Sequence, residues 1–112
     1  GDLYVFEAPI DLLSYIPLHP ENWQQHSYVA CCGTSYEPVR WILTQIEAPR
    51  LVSLCLDHDN AGDQGCERMA KQISSEVGIP TRRLVPEQKD WNEDLCALRE
   101  APRHQRMEME MR

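Results

Sequence analysis

Residues 51–57 read LVSLCLD, and the serine and the final aspartate are the polar members of that run. A run of this kind lacks the polar alternation of a half-solvated strand, so it suits a strand buried on both faces. Covering both faces takes a helical layer above and another below, which points to a parallel α/β sheet. The run then ends abruptly in Asp57-His58-Asp59, followed by Asn60-Ala61-Gly62. Carboxylates at the end of a buried strand are costly unless they cap a helix or meet something positive.

The rest of the chain supplies the partners such a strand needs. Residues 3–7 (LYVFE), 27–32 (SYVACC) and 81–85 (TRRLV) read as three more strands. Between them, Ile10, Leu12, Leu13 and Ile16 give a short helix expected to end before Pro17, followed by a loop over residues 17–26. Val39, Ile42, Leu43 and Ile46 recur at helical spacing between Pro38 and Pro49. Cys66, Met69, Ala70, Ile73 and Val77 stripe a third helix that Gly78 caps, and a last short helix starts within residues 89–95. Strands alternating with helices imply parallel crossovers, hence a three-layer α/β/α sandwich with a four-stranded parallel sheet in the order 2-1-3-4. Strands one and three are then neighbours at a switch point, where ligands bind beyond the carboxyl ends of strands.

A chain of 112 residues, 42% hydrophobic and 26% charged, fits one core, expected over residues 1–100, with a frayed polar tail at 101–112. No run of about 18 apolar residues is present, so no membrane span is expected. The initial Gly suggests part of a larger protein. Five cysteines without a C-x-x-C pair suit reduced, buried thiols and a cytoplasmic setting better than a disulfide framework or a zinc site. With 18 acidic against 11 basic residues and a net charge of −7, the chain lacks the footprint of a domain that grips nucleic acid by itself.

Acids gather where the topology would place the ligand. Glu7 ends strand one, Asp11 follows it by one helical turn, Asp57 and Asp59 end strand three, and Asp90 and Asn92 follow strand four. At roughly 6 Å apart, each charged pair among four such acids would repel by about 3 kcal/mol at an effective dielectric near 20. The sum over all pairs rivals the stability of a small domain, so a cation is needed. An oxygen-rich set without His or Cys points to Mg²⁺ or Mn²⁺, and phosphoryl or nucleotidyl transfer is the natural reaction class. Taken singly, each acid has a plainer reading: Asp57 or Asp59 as a helix cap, Glu7, Asp11 and Asp90 as surface acids. Glu21, Glu93 and Asp94 are read as solvated, His58 as a turn residue facing solvent, and Trp91 as a plug under the last helix.

The elements VFEAPID, ACCGTS, LCLDHDNAG and KDWNEDL, in that order, resemble the Toprim domain of primases, topoisomerases and certain nucleases. The resemblance covers residues 3–98. It implies that Glu7 is a general acid or base that can also share the metal, that Asp57 and Asp59 bind Mg²⁺, and that Asp11 and Asp90 add further metal ligands. It also places Gly33, Thr34, Lys89 and Asn92 on the substrate side of the site. Primase-type members carry Gly after the glutamate, where this chain has Ala8-Pro9, and Asn92 stands where a second aspartate is usual. The likeness is to primase-like modules of plasmids, phages and mobile elements, with template and nucleotide binding completed by other domains. A nuclease acting with the same acids and a non-enzymatic metal or nucleotide module remain alternatives. A receiver-type domain fits poorly, because its acidic pair follows the first strand.

Overall fold

The computed structural model describes residues 1–100, so the tail expected at 101–112 lies outside the described residues. Its elements are β1 (Leu3–Phe6), α1 (Pro9–Leu18), a 3₁₀ turn (Trp23–Gln25), β2 (Ser27–Ala30), α2 (Glu37–Ile42), β3 (Val52–Leu54), α3 (Asn60–Glu76), β4 (Thr81–Arg83) and α4 (Trp91–Glu100). The four strands form one parallel sheet in the order β2-β1-β3-β4, as the sequence implied. β1 and β3 are central, with Leu3 opposite Val52 and Val5 opposite Leu54.

Successive strand residues point to opposite faces, and the two faces carry separate cores. Leu3, Val5, Val52, Leu54 and Leu56 pack with Val39, Cys66, Met69 and Ile73 under α2 and α3. Tyr4, Phe6 and Cys55 pack with Tyr15 and Trp91 under α1 and α4. Trp91 is the expected plug: it is 5% exposed, and its indole N–H donates to the Cys55 carbonyl at 2.9 Å. Its ring meets Tyr15 edge-on at 5.0 Å, so α1 and α4 are joined over the end of β3. Among the described residues no helix is long and apolar enough to cross a membrane.

Several boundaries differ from the expectation. α1 runs through Pro17, whose missing N–H would have reached Leu13. Leu13 is 64% exposed, so water can serve that carbonyl, while the His19 N–H closes the last turn on Tyr15 and Ile16. α2 stops at Ile42 and tightens into i to i+3 bonds at Thr44 and Gln45, although Leu43 and Ile46 still pack on the core. The helical spacing predicts Val77 on the buried stripe of α3, but it is 49% exposed, because it has already left helical geometry ahead of Gly78 at φ +69°. α4 begins at Trp91 and continues to Glu100, past the expected short helix. Cys31, Cys55 and Cys66 are buried thiols, whereas Cys32 and Cys96 are exposed.

The start of α3 lies hard against the end of β3. A Cβ placed on Gly62 would sit 2.0 Å from the Asp57 carbonyl oxygen, closer than any real contact. An exposed helical Gly→Ala change ordinarily gains about 1 kcal/mol. Gly62→Ala is expected to reverse that sign and cost about 1–3 kcal/mol through overpacking, read as a lower urea midpoint.

Candidate metal centre

Three acids converge beyond the carboxyl end of the sheet. Asp11, Asp57 and Asp90 each present a carboxylate oxygen, and these oxygens all lie within 4.8 Å of one another. Each arrives from a different segment: Asp11 from the first turn of α1, Asp57 just after β3, and Asp90 immediately before α4. Asp11 is 2% exposed, and its burial is tolerable because its Oδ1 accepts the Asn92 backbone N–H at 3.2 Å. A carboxylate in a first turn also faces the positive end of its helix. Asp90 caps α4 by accepting the Glu93 N–H at 2.8 Å. Asp57 Oδ1, by contrast, is buried without any hydrogen-bond partner among the described residues.

The electrostatics follow from that packing. Burial pushes the Asp57 carboxyl up to about 7, with Glu7, Asp11, Asp90 and Asp59 adding repulsion in that order. Asp11 is also raised, by burial first, against the opposing pull of the Asn92 N–H, with Asp90 and Glu7 next. A proton or a cation relieves this strain. Close spacing, oxygen-only donors and one buried oxygen lacking a donor fit a hard divalent ion. The three residues therefore form a cluster capable of coordinating such a metal.

The other residues singled out in the sequence lie around the three. Glu7 Oε1 accepts the Asp57 N–H at 3.4 Å. Asp59 caps α3, its Oδ1 accepting the Gly62 N–H at 2.7 Å. The Gly33 N–H is held by the Glu7 carbonyl at 2.9 Å, at a φ of +132° that favours glycine. Thr34 packs against α3 beside Gly65 and accepts from Arg68 at 3.2 Å. The Lys89 carbonyl accepts the His58 N–H at 2.7 Å, which joins the turn after β3 to the entry of α4, while the His58 side chain is exposed as expected. Asn92 Oδ1 lies 3.3 Å from the Ser14 hydroxyl, which donates to the Ile10 carbonyl at 2.7 Å.

Some supporting residues gave no signal in the sequence. Glu93 and Asp94, read as solvated acids, accept backbone N–H groups: Glu93 from Lys89 at 3.0 Å, Asp94 from Glu87 and Gln88 at 2.9 and 2.7 Å. They shape the loop that delivers Asp90. Ser14 gives no signal either, because a hydroxyl inside a helix is common without such a role.

The raised Asp57 value carries a sign. Its folded value lies above the ordinary 3.8, so its contribution to stability is complete below about 4 and is lost as pH rises through about 7. In EDTA the urea midpoint is expected to rise as pH falls from about 8 to about 5, and Asp57→Asn is expected to flatten most of that slope.

The solved primase fragment of the bacteriophage T7 primase-helicase protein superposes with a TM-score of 0.65 at 23% identity. The match covers 97% of this chain and 43% of that one, so the chain spans less than half of the T7 fragment. At that identity the likeness is one of fold. No curated protein matches the chain. A family model described as Toprim-like matches residues 4–95. That span runs from β1 into α4 and holds all the clustered acids, so this chain belongs to the Toprim-like family.

Proposed function

We propose that this chain is the metal-dependent core of a primase-like nucleotidyl transferase. The observation that carries the reading is the meeting of Asp11, Asp57 and Asp90 at the strand ends, with a buried Asp57 oxygen that no donor satisfies. Asp11, Asp57 and Asp90 would hold Mg²⁺ or Mn²⁺. Bound there, the ion would polarise a phosphoryl oxygen of a nucleotide and offset its charge. Glu7, one hydrogen bond from the Asp57 backbone, is the group beside the cluster best placed to take a proton. Asp59 fixes the first turn of α3, whose positive end favours a phosphate.

The synthesis reading takes its cue from a primase fragment of the same fold. Template and nucleotide binding would be shared with other domains, because a net charge of −7 disfavours direct contact with the phosphate backbone. The same charge predicts feeble DNA binding by this domain alone.

Two measurements test the reading. Titrating Mn²⁺ against the chain should give saturable binding that weakens more than about tenfold in Asp57→Asn and in Asp11→Asn. Equal affinity in all three would remove the metal site. Full-length protein given single-stranded template, ribonucleotides and Mg²⁺ should make oligoribonucleotides, and Asp57→Asn should abolish them. Cleavage of labelled nucleic acid without synthesis would instead make the domain a nuclease, and metal binding without either would make it a non-catalytic module.

A further inference from the structure

Pairing between β3 and β4 ends at Leu54 and Arg83, yet the chain after β3 runs on through Leu56 to Asp57. Among the described residues the Leu56 and Asp57 carbonyls have no partner strand, and a buried carbonyl without a donor is costly. The Arg83 guanidinium supplies the missing donors. Its Nη1 donates to the Leu56 carbonyl at 2.6 Å, and its Nη2 to the Asp57 carbonyl at 2.8 Å. Nη1 also lies 3.4 Å from the Leu54 carbonyl and 3.2 Å from the Leu84 carbonyl. Nη2 further pairs with the Asp63 carboxylate at 3.0 Å, which ties the same fork to the first turn of α3. The side chain is 22% exposed, so these bonds are largely shielded from water.

Asp57 is thus gripped through its backbone on both sides. Its N–H meets Glu7 and its carbonyl meets Arg83, while Gly62 closes over that same carbonyl. Rotation of either flanking peptide would swing the carboxylate away from Asp11 and Asp90. From this geometry we infer that Arg83 is a positioning residue, which clamps the Leu56–Asp57 backbone so that the Asp57 carboxylate faces the other two acids. A lysine would replace it only in part, because a single ammonium lacks the planar fork that spans neighbouring carbonyls. The consequence for metal affinity rests on the reading of Asp57 as a ligand; the clamp itself does not.

The test compares the full chain as wild type, Arg83→Met, Arg83→Lys and Arg82→Met. Arg82 is the control, since it lies on the same strand but bonds Ser53 at 2.8 Å. Two readouts are taken: amide hydrogen exchange of the metal-free protein at residues 57–59, and Mn²⁺ affinity from the paramagnetic resonance of the free ion. Arg83→Met is expected to speed exchange at those amides about tenfold and to weaken Mn²⁺ about tenfold, with β1 amides unchanged. Arg83→Lys should fall between, and Arg82→Met should do neither. Unchanged exchange in Arg83→Met would overturn the inference, as would equal losses in Arg82→Met. If wild type takes up no Mn²⁺, the metal reading fails alone and exchange still decides the clamp. If Arg83→Met does not fold, Arg83→Lys decides both readouts against wild type.

Discussion

Like charges forced together repel, and the architecture of this chain is arranged around holding three carboxylates against that force. None of the three shares a segment with another. Asp57 rides on a central strand, Asp11 on the helix that follows β1, and Asp90 on the turn into the last helix. Their meeting therefore depends on every join between those segments: the register of β1 with β3, Trp91 bonded to Cys55, and His58 bonded to Lys89. Loosening any of these would let repulsion spread the acids apart.

The same repulsion makes the site selective for what relieves it. Burial raises Asp57 most and Asp11 as well, so the metal-free cluster holds a proton readily near neutral pH. A divalent ion competes with that proton for the same oxygens. Under the proposed function, the net acidity of the chain is compatible with a phosphate-bearing substrate. A bound cation converts an acidic pocket into a place where a phosphate is welcome, and an α-helix N-terminus stands alongside to help.

Much of this was legible in the residues. The run before Asp57, apolar but for Ser53, pointed to a central parallel strand, and the strand order 2-1-3-4 followed from the alternation of strands and helices. The acids were legible as types at strand ends. Their partners were not. Asp59 and Asp57 look equivalent in Asp-His-Asp, yet Asp59 bonds the Gly62 N–H while Asp57 has a buried oxygen with no donor. Glu93 and Asp94 looked like solvated charge and turned out to bind backbone N–H groups. Pro17 looked like a helix terminator and was absorbed in a last turn, one turn after the exposed Leu13 whose carbonyl it leaves without its usual donor.

What the sequence determined by itself was periodicity and residue type: which segments are buried on both faces, where helices turn, and that acidic residues follow the first, third and fourth strands. Those depend on local pattern, which composition along the chain records directly. What only the tertiary structure decided was which acids touch and what holds them. Contacts between residues 11, 57 and 90, or between Arg83 and the Asp57 carbonyl, join positions far apart in the chain. They are fixed by strand register and helix docking, and no spacing within a single segment encodes them.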